Sequence, residues 1–296
     1  MSTDSNYYVP DQSKLPLAAA TGMGLIAWGA GSWVQGESST IFWAGFLILA
    51  FTLYVWFSTV IKENRAGMAN AQLKRSYVWG MSWFIFSEVM FFAAFFGALF
   101  YIRQLALPWL SEGDTQEMWN GFQSEWPLMT TPDQALNGDA AQMKGPGESM
   151  SFPGWDGVLG WLPLWNTIVL LTSSWTVHFA HTALKNDNRK GFNMWLGITV
   201  ALGIFFLFLQ AEEYIHAYGI GLTLDSGIYG TTFFMLTGFH GFHVAMGTFM
   251  LLIQFLRGLK GQFSHDDAFG FEASSWYWHF VDVVWVGLFI FVYVLG

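Results

Sequence analysis

Residues 226–243 read SGIYGTTFFMLTGFHGFH, and this stretch places His240 and His243 inside a long apolar segment. Ionisable side chains are costly at membrane depth and are rarely kept there without a use. Because the two histidines lie three residues apart, they share one face of a helix. Other ionisable residues also interrupt or border apolar runs: Glu88, His178, His181, Glu212, Glu213, His216, His279 and Asp282. The pattern predicts buried polar groups within a bilayer.

The composition is typical of an integral membrane protein. Of the 296 residues, 53% are hydrophobic, 19% aromatic and 11% charged, whereas soluble domains carry about 25% charged residues. The chain has no cysteine, which excludes disulfides, thiolate metal sites and a cysteine nucleophile. The first 14 residues are polar and lack the basic region and cleavage site of a signal peptide. We therefore expect insertion to depend on the spans themselves.

Apolar runs of about 20 residues, the length that crosses a bilayer, occur seven times. They cover 15–34, 41–61, 77–105, 162–184, 192–214, 226–256 and 271–295. These runs predict an all-α integral membrane protein formed by a single polytopic domain, residues 1–296. Helices I–II fall in 15–61, helix III in 77–105 and helices IV–VII in 162–295. The long non-apolar stretch 106–160 is predicted to be an outer loop.

The basic residues predict the orientation. With the N-terminus in the cytoplasm, ten of the twelve Lys and Arg residues lie inside, and Arg103 and Lys144 lie outside. This asymmetry agrees with the positive-inside rule and with an odd number of spans. The outer loop is acidic, with Glu112, Asp114, Glu117, Glu125, Asp133, Asp139, Glu148 and Asp156. Such a loop could attract a basic partner, or it could simply be a solvated surface.

Glu88 lies near the middle of the third span among phenylalanines and other apolar residues. Poor solvation there favours a neutral carboxylic acid over a carboxylate. Two interpretations stay open for Glu88: a buried acid with a proton-handling or ligand-contacting role, and a neutral acid hydrogen-bonded across helices for packing.

The histidines also allow two interpretations. A pair at i, i+3 is a weak metal signal, because zinc sites need three or four ligands and di-iron bundles need Glu-x-x-His on two helices. The near match, EYIH at 213–216, occurs once. His240 and His243 could bind metal or haem, or could be buried polar packing groups. His279 and Asp282, also at i, i+3, could form a pair within an interfacial aromatic belt.

Four stretches, in order along nearly the whole chain, resemble subunit III of haem–copper cytochrome c oxidase. They are FSEVMFF at 86–92, PLWNTIVLLTSS at 163–174, SGIYGTTFFMLTGFHGFH at 226–243 and GFEASSWYWHFVDVVW at 270–285. The resemblance implies seven transmembrane helices, with helices I–II separated from III–VII by a lipid-filled cleft. It also implies that this chain has no catalytic residue and binds no metal or haem, because haem and copper belong to partner subunits.

The resemblance further implies a role in aerobic electron transport. Such a subunit packs on subunit I, is joined in the complex by subunit II, binds phospholipids, and supports proton uptake and turnover stability. Cytochrome c donates electrons to the complex, and no nucleic acid is involved. Glu88 matches the family's carbodiimide-sensitive glutamate. Headgroup contacts are implied for Lys62, Glu63, His243 and Arg257, and buried packing for His240, His279 and Asp282.

Some features depart from this pattern or leave rivals open. Lys62 stands where arginine is common, and residues 64–71 lack the histidines of mitochondrial members, which affects the details of headgroup contact. The longer acidic stretch 106–160 suggests a bacterial origin and hence the bacterial inner membrane. One rival is the quinol-oxidising branch, whose third subunit is usually shorter and lacks the first two helices. The other is a membrane metalloenzyme using His240, His243 and His279.

Overall fold

The computed structural model describes residues 12–68, 71–137, 143–147, 150–264 and 268–296. Within these ranges every regular element is helical. The long helices are α1 (Leu15–Val34), α2 (Thr40–Arg65), α3 (Ala71–Tyr101), α4 (Leu162–Lys185), α5 (Arg189–Gly219), α6 (Ile228–Leu259) and α7 (Phe269–Leu288). Short π-helical segments extend α3 through Ile102–Ala106 and α7 through Phe289–Val294. The prediction of an all-helical membrane protein is confirmed.

Six helical segments in the described ranges are long and apolar enough to cross a membrane. They are Leu15–Val34, Thr40–Arg65, Ala71–Ser111, Arg189–Gly219, Ile228–Leu259 and Phe269–Val294. Helix α4 is long enough at 24 residues, but polar residues lower its hydropathy. Several of these face inward, since Asn166, Thr167, Ser173 and Thr176 are buried. The seventh span and the lipid-filled cleft therefore stay predictions.

The chain divides into two compact units, the described residues up to Gly80 and those from Met81 to Gly296. In the first unit, α1 and α2 pack closely because both carry glycines at their contact. A Cβ on Gly45 would lie 2.7 Å from Ile26 N and 2.8 Å from Gly22 O. A Cβ on Gly29 would overlap the backbone of Phe42. Small residues at such contacts let membrane helices approach at backbone distance.

In the second unit, Trp278 of α7 occupies the centre of the helix packing. It is fully buried, and its ring lies between Gly203 of α5 and Gly247 of α6. A Cβ on Gly247 would lie 2.8 Å from the Trp278 ring, and one on Gly203 would lie 2.9 Å from it. The two glycines therefore make the space in which the indole sits.

Hydrogen bonds of tryptophans join α7 to α4. Trp278 Nε1 donates to Ser173 Oγ at 2.9 Å, and Trp285 Nε1 donates to Thr167 Oγ1 at 2.9 Å. The two tryptophans lie seven residues apart and their acceptors six residues apart, so both pairs span nearly two helical turns. Buried indoles usually find a partner for their N–H group. These bonds fix the register of α7 against α4.

Residues 107–160 hold short helices: Leu107–Ser111, Asp114–Met118, Pro132–Asn137 and the 3₁₀ turn Val158–Gly160. Part of the predicted acidic loop, residues 138–142 and 148–149, lies outside the described residues. Arg103, just before this stretch, donates to the carbonyl oxygens of Phe291 at 3.2 Å and Leu295 at 2.6 Å. A cation at the carboxyl end of a helix is favoured by the helix dipole, so Arg103 anchors the end of the chain.

Candidate functional site: Glu88, His243 and the buried polar groups

Glu88 of α3 and His243 of α6 form a polar contact between helices. His243 Nε2 lies 2.9 Å from Glu88 Oε2, and His243 Nδ1 lies 2.6 Å from the carbonyl oxygen of Phe239. The His243 side chain is 8% exposed and the Glu88 side chain 22%. Glu88 is thus half-buried, rather than enclosed on all sides as the sequence suggested, and it has a histidine partner.

The hydrogen bonds restrict the protonation of this pair. A carbonyl oxygen can only accept, so His243 Nδ1 carries a hydrogen. The Glu88–His243 bond then needs one more proton, placed either on the carboxyl oxygen or on Nε2. In the first arrangement an acid donates to a neutral ring, and in the second an imidazolium donates to a carboxylate. Both arrangements hold one proton between the groups and carry no net charge.

Aromatic rings enclose the His243 imidazole. The Phe92 ring lies 4.9 Å and the Phe91 ring 5.9 Å from it, while Tyr277 is stacked at 6.3 Å. These distances join ring centroids. An apolar enclosure strengthens a hydrogen bond and penalises an unpaired charge. The cage therefore favours a structure in which His243 and Glu88 stay hydrogen-bonded to each other.

His240, three residues before His243, has a different environment. It is 1% exposed, and its Nε2 lies 3.1 Å from the carbonyl oxygen of Val281. Nε2 must therefore donate, and Nδ1 finds no partner among the described residues. The ring packs against Trp285 at 5.0 Å and Phe206 at 5.8 Å. His240 thus joins α6 to α7 by packing and one hydrogen bond.

The predicted pair of His279 and Asp282 is not a direct hydrogen bond. His279 Nδ1 lies 3.7 Å from Asp282 Oδ2, and its close partner is Ser174 Oγ of α4 at 2.8 Å. Asp282 is 4% exposed, and neither of its carboxyl oxygens has a hydrogen-bond partner in the described ranges. The His279 side chain keeps 42% of its surface exposed, so the expected burial of His279 is absent in this chain by itself.

A second buried acid, Glu213, was not among the predicted site residues. Glu213 is 3% exposed, and its Oε2 accepts from Gln210 Nε2 at 2.9 Å and from the Tyr293 hydroxyl at 3.0 Å. Its Oε1 has no partner in the described part of the chain. The sequence did contain a signal for the contact between Gln210 and Glu213, because the two polar residues lie three apart within an apolar run and so share a helix face. The partner Tyr293 is 80 residues away and could not be found from the sequence.

The remaining predicted headgroup contacts lie near helix ends. Lys62 is exposed and Glu63 half-buried close to the end of α2. Arg257, in the last turn of α6, donates to Gln254 Oε1 at 3.0 Å and Gln262 Oε1 at 3.3 Å. Its guanidinium also lies 4.6 Å from the centre of the Phe263 ring. Headgroup contact stays a prediction for these residues and for His243, whose ring nitrogens both have protein partners.

The described ranges contain no cluster of three or more His, Asp or Glu side chains that could hold a metal ion. The histidines of the metalloenzyme alternative have separate partners. His243 binds Glu88, His240 binds the carbonyl of Val281, and His279 binds Ser174.

Residues 5–115 and 159–296 match the family "Cytochrome c oxidase subunit III". The chain belongs to this family. Glu88, His240, His243, His279 and Asp282 all lie within the matched residues. The match leaves out residues 1–4 and an internal segment, 116–158, which falls inside the acidic stretch 106–160. The long helices on both sides of that segment are matched.

Curated relatives agree with this assignment. Cytochrome c oxidase subunit 3 of Drosophila melanogaster is 38% identical over 299 residues, covering 100% of each chain. The horse protein of the same name, from Equus caballus, is 36% identical over 291 residues, covering 98% of this chain and 97% of its own. The protein from Dugong dugon is 37% identical over 291 residues with the same coverage. These relatives are animal proteins, so they do not confirm a bacterial origin.

Proposed function

We propose that this chain is a non-catalytic integral subunit of a proton-pumping cytochrome c oxidase in a bacterial inner membrane. The observation that carries the proposal is the family match, which covers the long helices on both sides of the acidic loop. In this role the chain binds no haem or copper itself and packs mainly on subunit I, with subunit II in the same complex. Cytochrome c supplies electrons to the complex, and this chain supports proton uptake and durable turnover.

Seven spans are part of this proposal, and α4 is the helix in question. Its polar residues face the helix packing, whereas its exposed large residues are Trp165, Ile168, Leu171, Trp175 and Phe179. An outward face of this kind suits lipid, and polar residues are tolerated in a span when they bond to neighbouring helices. The bonds of Thr167 and Ser173 to the tryptophans of α7 meet this condition.

Phospholipid binding is the second part of the proposal. Lys62 and Arg65 stand in the last turn of α2, and Arg257 stands in the last turn of α6. With the cytoplasmic N-terminus predicted from the basic residues, all three lie at the cytoplasmic face, where basic residues attract anionic headgroups. Glu63 is adjacent to Lys62 at the same end of α2. We propose that lipids held here fill the cleft expected between helices I–II and III–VII.

The Glu88–His243 pair is the part of the chain suited to proton handling. Its single proton can move from the carboxyl oxygen to the imidazole across 2.9 Å without changing the net charge of the pair. The exposed part of Glu88 gives one route by which that proton could exchange. We assign the pair a supporting role, because in this proposal oxygen reduction and the proton-pumping routes lie in subunit I.

Removal of the chain from the assembled oxidase tests this function. An oxidase core lacking the chain should keep its haem absorbance and its initial oxygen reduction, because no redox centre has been taken away. Its activity should then fall during continued turnover, and the purified chain with native lipids should restore durability. Immediate loss of haem absorbance on removal would contradict the proposal. So would a native membrane extract in which the chain fails to co-purify with haem-containing subunits.

A further inference from the structure

A pocket on the outer surface of the α4–α7 pair contains two histidines whose hydrogen bonds are not all satisfied by the described residues. It has a volume of about 210 Å³ and is lined by Ser174, Trp175, His178 and His279. His279 lies ten residues into α7, about 15 Å along the helix at a rise of 1.5 Å per residue. In a hydrocarbon core about 30 Å thick, this position is close to the bilayer centre.

The hydrogen bonds of the described residues leave ring nitrogens of the two histidines without partners. His279 Nδ1 is bonded to Ser174 Oγ at 2.8 Å, whereas the described residues offer no partner to His279 Nε2. The His178 side chain is exposed and likewise has no hydrogen-bond partner among them. Ser174 and His178 share a face of α4 because they are four residues apart. Asp282, 3.7 Å from His279 Nδ1, is 4% exposed, and its carboxyl oxygens have no hydrogen-bond partner within the described ranges.

The surroundings of the pocket are apolar. On the same two helices, Leu171, Val283 and Val286 are exposed, and these side chains can face acyl chains at no cost. An acyl chain cannot bond to an imidazole, so lipid would leave both histidines unsatisfied at a depth where polar groups are expensive. Water would satisfy them only with two to four polar partners for each molecule. A hydrogen-bonding side chain from an adjacent helix meets the requirement directly.

We propose that this pocket is a docking site for a transmembrane helix of a partner subunit, which inserts a hydroxyl or amide side chain between His178 and His279. A hydroxyl or an amide can both donate and accept, so it can bond to either tautomer of His279. Trp175, which is 66% exposed, forms an apolar rim against the same helix. The inference rests on the proposed function, since it requires an assembled complex.

Photo-crosslinking tests the inference while leaving Ser174, His178 and His279, the polar residues of the pocket, unchanged. A photoreactive phenylalanine analogue replaces Trp175 in the assembled oxidase, and the same analogue at Phe208, exposed on α5, serves as the comparison. The Trp175 site should crosslink to a transmembrane peptide of another oxidase subunit, and mass spectrometry should place the crosslink near a hydroxyl or amide residue. Crosslinks to lipid alone at Trp175, in a complex that still contains haem, would overturn the docking inference but not the proposed function.

Matched substitutions provide the second measurement. His279→Phe should increase the release of this chain from the detergent-solubilised complex at least fivefold, and His279→Gln should restore most of the retention. His216→Phe, which removes an exposed histidine near the end of α5, should leave retention unchanged. Equal retention of His279→Phe and the unmodified chain would overturn the inference. Failure of the unmodified chain to join a haem-containing complex would instead count against the proposed function.

Discussion

The hydrogen bonds around His243 explain how a glutamate can be kept within a membrane span. The carbonyl of Phe239 fixes the hydrogen on Nδ1, so Nε2 and Glu88 share a single proton. A carboxylate facing a neutral ring would place two acceptors 2.9 Å apart, which the apolar cage of Phe91 and Phe92 would make costly. The hydrogen bond between the two groups is therefore what allows a glutamate at this position of the span.

Replacement of Glu88 tests this arrangement. In Glu88→Gln the amide can still donate to His243 Nε2, so we expect normal assembly and most of the oxygen-reduction activity. Labelling by a hydrophobic carbodiimide should disappear, because the carboxyl group has gone. Glu88→Ala should lower the free energy of unfolding by about 1–3 kcal/mol, since it leaves His243 unsatisfied. Activity, labelling and thermal unfolding in detergent measure these effects.

Glu272→Gln is the matched control for this experiment. Glu272 also has a histidine partner, His181 at 3.2 Å, and a partly exposed side chain, so the control should leave the labelling of Glu88 unchanged. A Glu88→Gln oxidase that assembles normally but is inactive would contradict the supporting role. Glu88 would then be a group whose proton is required for turnover.

A second residue-level prediction concerns Asp225, which lies in the turn between α5 and α6. The Thr223 hydroxyl donates to Asp225 Oδ1 at 2.5 Å, and this bond lowers the pKa of Asp225 below its ordinary value of 3.8. Because its pKa is lowered, ionised Asp225 stabilises the folded state at pH values above 3.8. This stabilisation is lost as the pH falls through the lowered pKa of the folded state. Thr223→Val should raise the pKa of Asp225, as measured by carboxyl NMR. Thr232→Val, whose hydroxyl bonds to the backbone of α6, should not change it.

At the scale of helices, the close packing around Trp278 predicts that alanine is tolerated at some glycines of α6 and not at others. Gly247→Ala places a methyl group 2.8 Å from the Trp278 ring, and that ring cannot move easily because its N–H is bonded to Ser173. Overpacking typically costs about 1–3 kcal/mol, which should exceed the gain of up to about 1 kcal/mol from helix propensity. Gly241→Ala, on the same helix with nothing within 4 Å, should be neutral or stabilising. Equal thermal unfolding of both variants would show that the contact at Gly247 is not tight.

The helices themselves were largely predictable from the sequence, because a long apolar run marks six of the seven long helices as candidate spans. The first predicted span, 15–34, coincides with α1. Others were too short, since α3 begins at Ala71 and its polar first turns carry no hydropathy signal. Partners across helices were not predictable. Glu88 and His243 are 155 residues apart, and no local pattern shows that α3 and α6 bring them together.

For the whole molecule, α4 decides the topology. With seven spans and a cytoplasmic N-terminus, ten basic residues lie inside: Lys14, Lys62, Arg65, Lys74, Arg75, Lys185, Arg189, Lys190, Arg257 and Lys260. If α4 did not cross, the last five of these would move outside and join Arg103 and Lys144. The count would then be five inside and seven outside, which violates the positive-inside rule. The distribution of basic residues therefore favours α4 as a seventh span, which the hydropathy of α4 does not decide.

Reporter fusions test this topology. With seven spans and the predicted cytoplasmic N-terminus, Gly296 should lie on the periplasmic side of the proposed bacterial membrane. A reporter active only in the periplasm should then be active when fused there. The same reporter inserted at 185–190, between α4 and α5, should be inactive, because that turn is basic and predicted to be cytoplasmic. A fusion within 116–131 should be active and serves as the positive control. If α4 does not cross, the first two results reverse while the control stays active, because the order of α1–α3 is unchanged. An inverted chain would instead silence the control, so the three fusions together separate a six-span protein from a reversed one.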